Sequence, residues 1–242
     1  MKCILAKFRK DRCAGCNHLC QHRIALEGLD GKSGRLGAAG LPAEYRRIML
    51  DNSPARESQA KIYKLLEQYV ETFSRRGDDN KPIKSLYLWS ESPGTGKTTT
   101  AAALIHEWIA RDYLDALKDG RQPLQMPAYF LDLNDFQTRY NLASMTGDEA
   151  EFARIKSEIR RVQKAPFAVL DDVGVRNATE AFRAYLHAII NYRVTNRLPT
   201  VYTSNLPIEE LARVFDERLY DRIRDMTGVI EFAGESKRGM RR

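Results

Sequence analysis

Leu86 to Thr100 reads LYLWSESPGTGKTTT: a short apolar run, a glycine-rich turn, a lysine, and then residues that open a helix. That order of parts is expected where a buried strand delivers a loop to a helix N-terminus. Gly94 and Gly96 allow backbone conformations closed to residues with a Cβ. Successive N–H groups can then turn inward around phosphate oxygens, aided by the dipole of the following helix. Lys97 is placed to reach the β- and γ-phosphates of a nucleotide, and the Thr98 hydroxyl to ligate magnesium. Ser92, Pro93, Gly94, Thr95, Gly96, Lys97, Thr98 and Thr99 together form a candidate ATP cradle. The full pattern GxxxxGK[ST] puts its first glycine at position 91, where this chain has Glu91.

A partner for that loop stands at residues 167–174, FAVLDDVG, where four apolar residues run into two carboxylates. A buried strand ending in this way projects one carboxylate toward a metal beside the phosphate loop and leaves the next to orient or deprotonate a water. Asp171 is read as the magnesium-side group and Asp172 as the water-side one. Asn205 ends the later apolar run TVYTSN, at a strand's C-terminal edge, where open α/β sheets place ligand groups. It can hold the attacking water or the γ-phosphate. Further on, FDERLYDRIRD sets Arg218 and Arg222 four residues apart on one helix face. Arginine stabilises transferring phosphoryl charge, in cis or from a neighbouring subunit.

Outward from these motifs the chain alternates strand and helix. Strands are predicted at 86–89, 128–132, 167–171, 200–203 and 229–232, with mostly helical segments between them, as a parallel sheet covered on both faces requires. The helix after Lys97 is expected to bury Ala101, Leu104, Ile105, Trp108 and Ile109. Ser53-Pro54 predicts the start of another, with Ile62, Leu65, Leu66, Tyr69, Val70 and Phe73 on its inner face and GDDN at 77–80 as its end. Asn134 or Asp135 is expected to cap a short helix. A longer one from Asp148 carries Phe152, Ile155, Ile159 and Val162 inward and Arg154, Lys156, Arg160 and Arg161 outward.

The 242 residues allow one sizeable core plus a small appendage, and no apolar run approaches the ~20 residues of a membrane helix. The N-terminus has no secretory pattern, so a cytoplasmic protein is expected. The formal charge is +7, and residues 1–50 hold ten Lys and Arg against four acids, so nearly all of it resides there. The same segment holds all four cysteines, Cys3, Cys13, Cys16 and Cys20. Clustered cytosolic thiols with one CxxC knuckle favour zinc over disulfides, with His22 as the alternate fourth ligand. Glycines at 28, 31, 34, 37 and 40 follow, read as a flexible or closely packed linker whose Lys32 and Arg35 are solvated. The expected division is residues 1–50 as a small basic, cysteine-rich, zinc-like module and 51–242 as the main domain.

With SPGTGKTT as Walker A, FAVLDDVG as Walker B and VYTSN as sensor 1, residues 54–242 resemble the AAA+ ATPases of the DnaC/DnaI helicase-loader family, particularly the short forms of phages and prophages. ERLYDRIRD looks like the arginine-finger segment and FAGESKR like sensor 2. The resemblance implies an α/β fold whose five-stranded parallel sheet has the order 5-1-4-3-2 and is flanked by helices. It implies ATP and Mg2+ as cofactors and ATP-dependent homo-oligomers. It makes Arg222 the finger reaching a neighbour's ATP, Arg218 its companion and Arg238 the sensor 2 arginine. Its implied partners are single-stranded DNA and a replicative DnaB-type helicase, the latter held through the N-terminal part. Asp172 stands where many AAA+ proteins have Glu, which predicts slow hydrolysis. The alternatives are a transposition-helper ATPase, which shares these motifs, and a P-loop kinase, which does not need Asn205, Arg222 and Arg238 in that order.

Overall fold

A computed structural model describes residues 3–9, 13, 17, 19–75, 81–174, 179–214 and 217–234. Its strands are β1 (Ser85–Trp89), β2 (Ala128–Asp132), β3 (Phe167–Asp171), β4 (Thr200–Ser204) and β5 (Thr227–Glu231). Every neighbouring pair is parallel, in the order β2-β3-β4-β1-β5. Read from the other edge, this is the order the family resemblance implies. The helices are α1 (Gln21–Glu27), α2 (Gly34–Ala38), α3 (Ala60–Glu71), α4 (Lys97–Lys118), α5 (Leu133–Thr146), α6 (Glu149–Lys164), α7 (Glu180–Thr195), α8 (Leu211–Val214) and α9 (Glu217–Met226). No helix among the described residues is long and apolar enough to cross a membrane.

Alternation along the strands sorts their side chains between two cores. Leu86, Leu88, Phe130, Phe167, Val169 and Val201 belong to a cluster completed by α3, α4 and N-terminal residues including Ile4, Leu5, Leu26 and Leu36. Tyr87, Tyr129, Leu131, Ala168, Leu170 and Tyr202 belong to the other, completed by α5, α6, α7 and α9. Central β3 is buried at every residue, which is why FAVL reads as a continuous apolar run. Edge strand β2 gains a cover from the glycine-rich segment, since the Phe130 N–H donates to the Ala39 carbonyl at 2.8 Å. At 0 % exposure, Arg193 of α7 donates to Thr200 Oγ1 and to the carbonyls of Val162, Ala165 and Pro199 at 2.6–2.9 Å. It thereby ties the end of α6 to the starts of β3 and β4. Burial pulls its pKa down to about 10.

Several local expectations are corrected. The first strand-crossing helix starts at Ala60 and not at Pro54, because the Ser53 hydroxyl is engaged by the Tyr63 hydroxyl at 2.6 Å and by the Ala55 N–H, forming a turn. Its buried stripe is Tyr63, Leu66 and Val70, continued by Phe73 in the turn that follows, and Leu65 is exposed. GDDN at 77–80 lies outside the described residues. Asp132, not Asn134 or Asp135, caps α5, accepting both of their N–H groups. β5 starts two residues early, because Thr227 and Gly228 pair with Ser85 and Leu86 despite lacking apolar side chains. Arg35 is buried, not solvated, donating to the carbonyls of Ala25, Pro123 and Leu124 beneath the Tyr113 ring.

The expected zinc is not supported. Among the described residues no group of three or more His, Cys, Asp or Glu could hold a metal. Cys3 is instead 7 % exposed beside Ile4 and Leu5 in the core, the ordinary behaviour of a small apolar side chain. Cys13 and Cys20 are half-buried thiols, and Cys20 occupies the N-cap of α1. His22 Nδ1 pairs with the Tyr113 hydroxyl at 3.0 Å, while Cys16 lies outside the described residues.

His106 on α4 is fully buried and accepts the Arg47 backbone N–H on Nε2 at 3.3 Å. Burial holds it neutral and lowers its pKa from 6.5 to about 4. The unfolded chain therefore takes up a proton that the folded chain refuses. This contribution is complete above pH 6.5 and is lost as pH falls toward 4. Lowering the pH from 7 to 5 should cost about 2 kcal/mol through this group. Denaturant titrations of wild type and His106→Asn at both pH values check it: the wild type should lose more stability, by about that amount.

Candidate functional site

The phosphate loop follows β1. Gly94 and Gly96 have φ of 74° and 102°, the left-handed region that the turn requires. A Cβ on Gly96 would also stand 2.5 Å from the Ala55 methyl. Glu91 is exposed and has no positive φ, so the missing first glycine costs the turn nothing. Lys97, 8 % exposed at the start of α4, donates to Ser90 Oγ at 2.7 Å, Asn205 Oδ1 at 2.8 Å and the Ser92 carbonyl at 3.3 Å. The Ser90 hydroxyl also meets the Thr95 hydroxyl at 2.8 Å, closing the loop on itself.

At the end of β3 the two carboxylates take different partners. Asp171 Oδ2 accepts from Thr98 Oγ1 at 3.2 Å and Oδ1 from Thr203 Oγ1 at 2.6 Å. Burial, with Asp132 and Asp172 nearby, raises its pKa to about 6 against the two hydroxyl donors. Asp172 leaves the sheet at φ 63°, a left-handed conformation uncommon for a residue with a Cβ. Its carboxylate accepts from Asn134 Nδ2 at 2.6 Å and Asn205 Nδ2 at 3.5 Å, and its backbone N–H donates to Thr203 Oγ1 at 2.8 Å. Asn134 and Thr203 were not singled out in the sequence. The signal for Thr203 is a hydroxyl two residues before Asn205 on a strand flanking the Asp pair; Asn134 had been read only as a helix cap.

One cleft of about 790 Å³ runs from Pro93 through Thr99 to Asp132, Asn134, Asp171, Asp172, Thr203 and Asn205. Thr98 and Asp171 supply the hard oxygen donors that suit Mg2+, a cation that keeps several waters and needs few protein ligands. Arg218 and Arg222 lie exposed on α9, outside that lining, and Arg222 donates to Asn191 Oδ1 on α7 at 2.6 Å. Arg238 is outside the described residues.

The family described as IstB-like ATP binding protein matches residues 87–242. The chain belongs to that family. Replicative helicase loader DnaI of Bacillus subtilis is 24% identical over 184 residues, covering 71% of this chain and 53% of that protein. Replicative helicase loader DnaC of Escherichia coli K12 is 27% identical over 178 residues, covering 69% and 59%. The chain thus spans little more than half the length of these relatives. Among solved structures, this IstB-like protein shares its fold with the DnaC helicase loader at TM-score 0.57, with 24% identity over 79% of this chain and all of that one. It also matches a putative primosome component from Streptococcus pyogenes at 0.53, with 25% identity over 83% and 93%.

The raised Asp171 pKa fixes two outcomes. Its folded value lies above its unfolded one, so the group opposes folding increasingly as pH rises from 3.8 toward 6. Asp171→Asn should therefore raise the unfolding temperature at pH 7.5 without nucleotide, by thermal melts. Mg2+-dependent ATP binding should weaken in the wild type as pH falls through 6, since the proton competes with the cation. In the Asn variant it should be weak at every pH.

Proposed function

We propose that this chain is an ATPase that loads a replicative DnaB-type helicase onto single-stranded DNA during DNA replication. The observation that carries the reading is the path from Lys97 through Asn205 to Asp172, which joins the phosphate-binding lysine to the water-side carboxylate. Similarity to two replicative helicase loaders supplies the process. In this reading residues 51–242 form the AAA+ ATPase domain and 1–50 the helicase-facing part. ATP draws copies of the chain together around DNA, and hydrolysis releases them.

The chemistry asked of each residue follows from its place. Backbone N–H groups of 94–98 and Lys97 would hold the phosphates; Thr98 and Asp171 would hold Mg2+, which would supply charge neutralisation at the phosphates. Asp172 takes the water's proton while Asn205 fixes its position. Asp172 reaches less far than a Glu at that position, and Asn134 grips one of its oxygens, so turnover is slow and nucleotide-controlled assembly carries the function. Arg222, with Arg218 beside it, acts on the ATP of a neighbouring copy, and Arg238 acts as sensor 2. Support for a finger role is that Arg222 is exposed on α9 and its partner is an amide, not a neutralising carboxylate. Exposed Lys156 and Arg160 on α6 suit the DNA backbone.

Lys97→Ala should abolish ATP binding and turnover. Arg222→Ala should leave ATP binding nearly unchanged while turnover falls on the order of a hundredfold or more; loss of binding in that variant refutes the trans assignment. Affinity capture from the host with ATP present settles the process. A retained replicative helicase supports loading, and a retained transposase supports a transposition helper. Phosphate transfer to an acceptor other than water, in a coupled assay, supports a kinase.

A further inference from the structure

The turn at 53–59 and the first residues of α3 grip the phosphate loop and the first turn of α4 at three points. The Ala55 methyl fills the space beside Gly96 where a Cβ would go. The Tyr63 hydroxyl meets Thr100 Oγ1 at 2.9 Å and Ser53 Oγ at 2.6 Å. Between them Gln59, 5 % exposed, directs its carboxamide at two backbone carbonyls: Ala233 just beyond β5 at 2.6 Å, and Thr95 in the loop at 3.4 Å. Gln59 occupies the N-cap of α3 but makes no side-chain cap bond. Its polar group is spent elsewhere. A carboxamide NH2 carries two donors, and here two carbonyls face it. Ordering and burying a glutamine costs up to ~2 kcal/mol in rotamer freedom alone, so the site selects the donors and not the volume.

We infer that Gln59 is a positioning residue that ties the phosphate loop to the chain leaving β5 and fixes which way one loop peptide faces. The peptide between Thr95 and Gly96 is planar and trans, so its C=O and N–H point in opposite directions. Holding the Thr95 carbonyl on Gln59, away from the cleft, turns the Gly96 N–H toward the phosphates. Because the same NH2 holds Ala233, an ATP that draws on that N–H also tightens the start of the C-terminal segment. The inference rests on ATP binding in this cleft and adds a route by which binding is felt at the β5 exit.

ATP titration combined with amide hydrogen exchange tests it, on the wild type, Gln59→Leu and Gln59→Glu, the last of equal length but with no donor. In the wild type, ATP should slow exchange at both 93–98 and 231–234. Both variants should bind ATP about three- to tenfold more weakly, the worth of a neutral hydrogen bond. At saturating ATP they should keep the protection at 93–98 and lose it at 231–234. Either folded variant that responds like the wild type at 231–234 overturns the inference. So does a lowered unfolding temperature with unchanged affinity, the mark of a purely structural role. Should Gln59→Leu not fold, Gln59→Glu alone decides. Failure of ATP binding itself is distinguishable, because the wild type and Lys97→Ala would then both bind nothing.

Discussion

The Lys97 ammonium is nearly sealed from water and is solvated instead by three oxygens from separate parts of the chain: Ser90 at the end of β1, Ser92 in the loop, and Asn205 after β4. A buried charge is tolerated only where such oxygens replace its hydration. The rest of the site depends on meeting that condition. It requires β4 to lie beside β1, and the sheet order does this by inserting β4 between β1 and β3. The same insertion leaves β3 one strand further out, at the reach of Thr98. A sheet that ran in sequence order would place β2 beside β1 and give Lys97 no Asn205.

Thr203 turns this adjacency into geometry. Its hydroxyl donates to Asp171 and accepts from the Asp172 N–H, so one side chain on β4 orders two consecutive residues on β3. That grip matters because Asp172 sits in the left-handed region, which costs of order 1 kcal/mol for a residue with a Cβ. The cost is held by hydrogen bonds at both ends of the residue, from Thr203 at its backbone and from Asn134 at its carboxylate. With a relaxed backbone at 172, the carboxylate would leave the face where Asn205 and Lys97 meet.

Where a physical pattern is local, it was readable in the sequence. Four strands fell within a residue of their predicted limits because buried parallel strands are short apolar runs, and the loop was readable because phosphate binding needs glycines, lysine and threonine at fixed spacing. The placement of Asp171, Asp172 and Asn205 at one cleft was readable because strand ends point at the crevice. Thr203, Asn134, Gln59 and Arg193 were not, since each acts on a partner 32 or more residues away or, for Arg193, on carbonyls that carry no side-chain signal. Ser53 misled for a related reason. A serine before proline matches a helix cap, but the hydroxyl found Tyr63 ten residues on, an interaction set by where α3 crosses α4. The zinc reading found no support among the described residues, and at Cys3 the reason is that a thiol serves equally as metal ligand and as small apolar filler.

The site is held in a state that a nucleotide relieves. Without a cation Asp171 is a desolvated carboxylate whose pKa has risen to about 6, so near neutral pH the folded chain carries a charge it solvates poorly. Lys97 is the converse, a buried cation that draws on oxygens from β1, the loop and β4. A magnesium-bound triphosphate brings a positive ion to the first and negative oxygens to the second. Part of the binding free energy thereby comes from relief already built into the fold. In the proposed ATPase, relief at Lys97 would exchange Asn205 for phosphate, and Asn205 also touches Asp172, so nucleotide entry would alter the surroundings of that carboxylate. In the proposed ATPase, binding and the setting of Asp172 would then be one event.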